Sequence, residues 1–236
     1  MRELIRAGAA AMGIALPADA PDKLVIYHEM LVETNRVMNL TRVPDDPAEA
    51  VDRNYLDSLA PLAAPQLTDG VKTLCDVGTG AGFPGLPVRI VEPSVRLTLL
   101  DAQNKRVEFL KEVCGDLGLT DVECVHGRAE EFAADHRESF DLVTSRAVAN
   151  LRVLSELCLP LVKPGGYFLA MKSVDSDAEL AEAQKAIQIL GGDVEKAVDY
   201  AIPGTDVRHR LIFVKKIQKT DKKYPRTFAK IKKNPL

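Results

Sequence analysis

Residues 76–85 read DVGTGAGFPG, and the glycines at 80, 82 and 85 satisfy G-x-G-x-x-G. Glycines at that spacing turn the chain sharply after a strand and let its backbone approach a nucleotide closely. Asp101 follows Gly80 by 21 residues, at the end of the next predicted strand, where a carboxylate can accept hydrogen bonds from ribose hydroxyls. Both an NAD-type and an S-adenosylmethionine-type nucleotide site fit this pattern. Asp76 separates them. A carboxylate two residues before Gly78 repels a pyrophosphate seated on the following helix N-terminus, but it attracts a ligand whose sulfonium and ammonium are cationic, or organises the loop around one. Pro84 removes a further N–H donor from any anion-binding nest in the turn, and no G-x-x-x-x-G-K-[ST] phosphate loop occurs in the chain.

Further residues at predicted strand ends extend the candidate site. After the third strand comes GRAEEF, where Glu130 could accept the exocyclic amine of an adenine and Ala129 leaves room for the ring. Glu131 reads as an N-terminal helix charge. After the fourth strand, SRA at 145–147 places Arg146 at the carboxyl end of the sheet, the ligand-binding edge of open parallel folds. His28, His126, His136 and His209 are isolated in the sequence and read as structural or surface residues. Cys75, Cys114, Cys124 and Cys158 form no C-x-x-C pair and have no histidines at zinc spacing; the expectation is buried reduced thiols and no metal site.

Residues 1–70 carry helical spacing without strand signals. Leu24, Tyr27, Leu31, Asn35 and Met38 recur at three and four, predicting a helix over about 22–40, and a second is predicted from Ala48 to Ala63, stopped near Pro65. From Thr73 the chain alternates short apolar runs (TLCDV, RLTLLD, VECVHG, FDLVTS, YFLAMK) with helical stretches, of which 105–117 shows Val107, Leu110, Val113 and Leu117 on one face. Such alternation predicts a parallel sheet with helices on both sides. Two last strands, near 193–199 and 208–215, are separated only by a loop and should form a hairpin, giving an antiparallel edge. The expected fold is α/β: a doubly wound, Rossmann-like, seven-stranded sheet over residues 71–215, with an N-terminal helical extension over 1–70 and a basic tail over 216–236.

The 236-residue chain has a net charge of −3, unevenly spread. From Lys215 onward nine basic side chains face one acid, net +8, while the rest of the chain has 22 basic against 33 acidic side chains, net −11. A cationic tail on an acidic body points to a polyanionic partner. Lys222, Lys223, Arg226, Lys230, Lys232 and Lys233 are the expected phosphate contacts, and the interleaved Tyr224 and Phe228 suit stacking on bases. No apolar run reaches the roughly 18 residues of a membrane span. Arg2 and Arg6 before AGAAAMGIAL imitate a secretory signal, but Glu3, Gly8, Gly13 and the unpaired cysteines favour a cytoplasmic protein, expected to be a monomer.

Taken together, DVGTGAGFPGLPVRI, LLDAQNKRVEFLKEV, GRAEEF and FDLVTSRAVANLRVLSELCLPLVKPGG, with NLT at 39–41 and RNYLDSL at 53–59, resemble the ribosomal RNA small subunit methyltransferase G family, also called glucose-inhibited division protein B. The similarity runs from about residue 22 to 215. It implies an S-adenosylmethionine-dependent enzyme forming 7-methylguanosine in 16S ribosomal RNA, acting on the RNA or on the small ribosomal subunit. On the resemblance, Gly78, Phe83, Ala129, Glu130 and Arg146 match cofactor contacts, and Asp101 matches the ribose carboxylate, beside Asp76 and Gly80 of the loop. Members often carry a G-T-P element in the tail; here Pro225-Arg226 is followed by TFAKIKKNPL.

The remaining motifs agree with that chemistry. No N-P-P-Y-like element follows the fourth strand, as methylation of an exocyclic amine usually requires, and no Pro-Cys pair supplies the nucleophile of pyrimidine carbon-5 methylation. Guanine nitrogen-7 carries a free lone pair and no proton, so alignment and electrostatics suffice, with Arg146 or Lys172 as candidate donors to oxygen-6. Three other readings make different predictions. A small-molecule methyltransferase would not need residues 216–236, an NAD-dependent oxidoreductase would bind NAD, and a non-enzymatic RNA-binding protein would tolerate Gly78→Asp.

Overall fold

The computed structural model describes residues 1–64, 70–146 and 149–236. Pro65, the predicted helix stop, and Ala147 of the SRA segment lie outside the described residues. Seven strands form one sheet: β1 (Thr73–Val77), β2 (Arg96–Asp101), β3 (Val122–His126), β4 (Phe140–Arg146), β5 (Val162–Ser173), β6 (Gly192–Ala201) and β7 (Arg208–Lys216), in the order β3-β2-β1-β4-β5-β7-β6. The order reverses at β1 and β4, which are parallel neighbours, and such a switch point opens a crevice beyond the strand ends.

The last two strands do form a hairpin, but the antiparallel strand is not the edge. β7 inserts between β5 and β6 and pairs antiparallel with both, so the edge strand β6 runs in the direction of β5. The reason lies in burial. Leu211, Ile212, Phe213 and Val214 are all at most 4% exposed and need cover on both faces, whereas β6 alternates with exposed residues and tolerates the edge. The order also brings the end of β6, the start of β7 and the end of β5 to one place, with Tyr200 opposite His209 and His209 opposite Ser173.

Strand alternation sorts side chains between two cores. On one side Leu74, Leu142, Leu169 and Phe213 pack with Leu24, Tyr27 and Leu31 of α2 (Ala20–Asn35), Leu86 of α5 (Gly85–Val91) and Leu110 of α6 (Asn104–Asp116). On the other, Cys75, Val143, Phe168 and Ile212 pack with Ala133 of α7 (Ala129–Asp135), Leu154 and Leu157 of α8 (Leu151–Cys158) and Ile187 of α9 (Asp177–Ile189). All four predicted stripe residues of 105–117 are buried. Three of the cysteines are buried and Cys124 is half-buried, all as free thiols.

The extension begins with α1 (Arg2–Ala11) and α2, which stops at Asn35 rather than 40 because the Asn35 Oδ1 accepts the amides of Leu40 and Thr41 at 2.8 and 3.2 Å. Residues 47–63 are helical as expected but change winding: α3 (Pro47–Ala50), capped by Asp46, runs into a π-helical turn (Val51–Leu56), then α4 (Asp57–Leu59) and a 3₁₀ turn (Ala60–Ala63). A π turn rotates the residues after it around the axis, and such turns recur at functional sites.

The basic tail is folded onto the second core. Arg137 donates to the carbonyls of Thr220, Asp221 and Tyr224 at 2.6 to 2.8 Å, and Arg152 to those of Pro235 and Leu236 at 2.7 and 2.5 Å. Lys216 is fully buried, donating to the Leu159 carbonyl and the Thr220 hydroxyl, and burial lowers its pKa to about 8. Arg226 meets the fully buried Glu156 through paired contacts of 2.6 and 2.8 Å. The expected aromatic stacking is not supported: Tyr224 is 9% exposed, and the Phe228 ring at the start of α10 (Phe228–Lys233) lies under the Arg128 guanidinium, 4.4 Å away. Their apolar surface is used to seat the tail. Glu156→Ala removes one partner of a buried ion pair, a change worth ~3 kcal/mol. Thermal denaturation should show that loss, and limited proteolysis should show cleavage in 217–236 ahead of the body.

Candidate functional site

The glycine loop joins β1 to α5 at the switch point. Gly78, Gly80 and Gly82 have φ of 69°, 62° and 108°, and a Cβ at Gly80 would meet no atom within 4 Å, so the loop passes beneath open space there. Asp76 points under the loop, not into that space. It is fully buried, and its Oδ2 accepts from the Thr79 hydroxyl at 2.7 Å and the Gly85 N–H at 2.9 Å. A Cβ at Gly85 would stand 2.9 Å from the same oxygen, so glycine is required for that contact. Burial raises the Asp76 pKa to about 6 against the opposing pull of its two donors. Of the two roles open to this carboxylate, the geometry selects the organiser of the loop. It also occupies the first N–H of α5, which a pyrophosphate would need.

Aromatic packing fixes the loop from above. The buried Tyr27 of α2 donates its hydroxyl to the Ala81 carbonyl, stacks on Phe83 with centroids 5.3 Å apart, and meets Tyr55 edge-on at 5.9 Å. Phe83 in turn lies 5.1 Å beneath the Arg146 guanidinium. The N-terminal helices are thus the roof of the glycine loop.

Over the loop opens a cavity of about 400 Å³ whose walls include Gly78, Gly80, Phe83, Asp101 and Arg146, together with Leu40 and Thr41. Asp101 is 4% exposed, and its carboxylate accepts from the Gly80 and Gln103 amides at 2.9 and 2.8 Å, with Arg106 at 3.4 Å. These contacts hold it at the strand end with acceptor capacity left for a ligand's hydroxyls. Ala129 and Glu130 do not line this cavity. Ala129 packs in the second core, and Glu130 is held by Arg128 at 2.7 Å, one step beyond Asp101, whose carbonyl receives the Gly127 amide.

Arg146 is the partition between this cavity and a second one of about 410 Å³, walled by Arg42, Arg53, Asp57, Lys172, Tyr200 and His209 among others. One guanidinium nitrogen of Arg146 reaches the Arg53 carbonyl, the Asp57 carboxylate and the Ser58 hydroxyl at 3.2, 2.9 and 3.2 Å. Asp57 also accepts from Tyr200 at 2.5 Å and His209 at 2.6 Å. Burial pushes the Asp57 pKa up, but His209, Arg146 and Tyr200 outweigh it and hold the carboxyl below its usual range. His209 is therefore not isolated: its hydrogen bond with Asp57 raises its pKa above the ordinary histidine value, although burial opposes this. Lys172 lines the same cavity, its ammonium bound to the Ala149 carbonyl at 2.7 Å and the Glu179 carboxylate at 2.6 Å.

The family model described as rRNA small subunit methyltransferase G matches residues 21–207. The chain belongs to that family. Curated members named ribosomal RNA small subunit methyltransferase G include one from Lactobacillus johnsonii, 47% identical over 230 residues and covering 96% of each chain, and one from Acetivibrio thermocellus, 44% identical over 238 residues and covering 100% of this chain and 97% of that one. One from Clostridium botulinum (strain Loch Maree / Type A3) is 44% identical over 217 residues, covering 91% and 90%. Among solved structures, an O-methyltransferase from Bacillus cereus in complex with SAH superposes with a TM-score of 0.58 at 17% identity, covering 91% of this chain and 99% of that one. TrmN from Thermus thermophilus gives 0.53 at 19%, over 70% and 53%. This chain is accordingly an S-adenosylmethionine-dependent methyltransferase. The first cavity suits that cofactor, with open space over the loop at Gly80, an aromatic wall at Phe83 and a strand-end carboxylate, and the Gly85 N–H at the start of α5 is taken by Asp76.

Several site residues carried no motif of their own. Asp57 and Arg53 lie within RNYLDSL, legible only as part of a family segment, while Tyr200 and His209 are scattered on the hairpin and unite only in its register. The Asp76 carboxylate gives a pH test. Because its folded pKa lies above the unfolded value, wild-type protein should gain stability relative to Asp76→Asn as pH falls from about 6 to 4, and the gain should be gone above about 6. Asp76→Ala, which leaves a buried amide and hydroxyl without their acceptor, should cost about 1–3 kcal/mol in denaturant titrations at neutral pH.

Proposed function

We propose that this methyltransferase modifies nitrogen-7 of a guanosine in 16S ribosomal RNA. The single observation that carries the reading is the junction at Arg146, where a cavity fit for the cofactor meets a second, basic-walled cavity large enough for a base. S-adenosylmethionine supplies an electrophilic methyl carbon: as the nitrogen-7 lone pair bonds to it, the carbon–sulfur electron pair stays on sulfur, leaving S-adenosylhomocysteine and a cationic purine. No proton moves. The chain therefore needs no base, and Asp57, saturated by donors, is not poised as one. Cys75 and Cys158 are buried with thiol pKa values pushed up by that burial, which speaks against covalent catalysis on a pyrimidine.

In this reading Gly78, Gly80 and Phe83 cradle the cofactor, Asp101 accepts from the ribose, and Asp76 keeps the loop in shape. Ala129 and Glu130, two and three residues past Gly127, whose amide donates to the Asp101 carbonyl, would meet the adenine on the family resemblance. Residues 1–70 roof the site, 71–215 carry it, and 216–236 bring RNA to it. Nitrogen-7 is hidden in the deep major groove of paired RNA, so the target guanosine lies in a loop or irregular region of the small subunit. The protein acts as a cytoplasmic monomer on this view, and no described helix is long and apolar enough to cross a membrane. Lys222, Lys223, Lys230, Lys232 and Lys233 are exposed and available to phosphates, while the guanidinium of Arg226 is committed to Glu156.

Incubation with labelled S-adenosylmethionine and small subunits lacking the modification, followed by mass spectrometry, should place label on nitrogen-7 of one guanosine; transfer to neither subunits nor free RNA would overturn the reading. Asp101→Ala should weaken cofactor binding by roughly 10- to 100-fold in calorimetry, the equivalent of losing one or two hydrogen bonds to a charged acceptor. Replacing the five exposed lysines with glutamine should weaken subunit binding and flatten its dependence on salt without changing cofactor affinity.

A further inference from the structure

We propose that His209 is the donor that receives the carbonyl oxygen (oxygen-6) of the acceptor guanine, and that Asp57 is the residue that positions it. The inference rests on the proposed guanine reaction and names the residues that make the base pocket selective.

On its nitrogen-7 edge guanine presents two acceptors, nitrogen-7 and oxygen-6. Nitrogen-7 must stay open to the incoming methyl carbon, so a pocket that orients the base there can grip only oxygen-6, and needs a donor for it. The donors lining the second cavity include Arg42, which is exposed, Arg53, which pairs with Glu49 at 2.8 Å, the 6% exposed Asn54, and Lys172, Arg146 and His209. Lys172 is engaged by the Ala149 carbonyl and the Glu179 carboxylate. Arg146 spends one nitrogen on Arg53, Asp57 and Ser58, and its guanidinium carbon lies 5.1 Å from the centre of the Phe83 ring, a wall of the cofactor cavity. His209 uses only Nδ1, against Asp57, and its side chain is 35% exposed in the cavity wall. Its Nε2 meets no protein acceptor among the described residues.

The surroundings of His209 look built to present that nitrogen. It is the second residue of β7, opposite Ser173 at the end of β5 and Tyr200, the next-to-last residue of β6, both fixed by sheet register. Asp57 reaches it from across the cavity, from the residue that follows the π-helical turn, and is only 5% exposed. A carboxylate taking three donors at one point fixes each of them in a single rotamer. With Nδ1 donating to Asp57, Nε2 carries a hydrogen only in the imidazolium form, which the same carboxylate favours. The groups facing His209 are Asp57, which favours the charged form, Tyr200, which burial keeps protonated, and Arg146 and Arg53, which disfavour it. Arg42 and Lys172 complete the charges of the wall.

Methyl-transfer kinetics on unmodified small subunits test this directly. His209→Ala should lower kcat by about 10- to 100-fold, with cofactor affinity by calorimetry and KM for subunits both within about twofold of wild type. Activity of the wild type should fall at alkaline pH as Nε2 loses its proton. His209→Gln, whose amide donates at every pH, should recover part of the lost kcat and lack that alkaline fall. Asp57→Asn should lower kcat similarly, and the double variant Asp57→Asn with His209→Ala should be no worse than the more impaired single variant. If His209→Ala turns over like wild type, or if it loses subunit affinity in place of kcat, the assignment fails even though guanosine methylation stands. If wild-type protein labels no guanosine nitrogen-7, the underlying reading fails first, so the two failures are told apart.

Discussion

The ion pair between Arg146 and Asp57 is the constraint on which the site depends. It ties the carboxyl end of β4 to the helical run of the N-terminal extension, 89 residues earlier in the chain, at 2.9 Å and with little exposure of either partner. A carboxylate this buried is costly unless its lone pairs are filled, so Asp57 collects Tyr200 and His209 from the hairpin as well. Three separate pieces of chain are thereby locked around one point. That point is also the wall between the two cavities, which is why a stability requirement and a functional geometry coincide here.

The same logic explains why the N-terminal helices belong to the active structure. Tyr27 touches the glycine loop through its hydroxyl and ring, and Phe83 passes that contact on to Arg146. The loop itself is held from below by Asp76, an ionisable group whose burial serves two donors at once. Loop, roof and partition form one connected network. On the far side of the sheet the tail is seated by arginines whose targets are mostly backbone carbonyls, and Lys222, Lys223, Lys230, Lys232 and Lys233 stay exposed. Positive charge is in this way presented on a fixed surface, not on a mobile arm.

Much of this was legible beforehand because its causes are local. Short apolar runs between helical stretches marked the strands, three–four spacing marked the helix over 105–117, and the glycine spacing marked the loop that Asp76 and Asp101 hold. Where spacing misled, a competing contact had won. α2 ends early because Asn35 caps the turn that shapes the cavity wall, and β7 lies inside the sheet because its residues need cover on both sides. Tyr224 and Phe228 looked like base-stacking residues because a sequence does not reveal that the second core needs their surface.

The sequence by itself determined the fold class, the loop chemistry, the family and the separation of charge, since each is written in spacing, residue type or a contiguous segment. Only the tertiary structure decided that Asp57, Arg146, Tyr200 and His209 meet. Those four residues come from a π-helical junction, a parallel strand and the two strands of a hairpin, and no local periodicity links them. They meet because one buried carboxylate needs donors from several directions, and the sheet order is what brings those donors within reach.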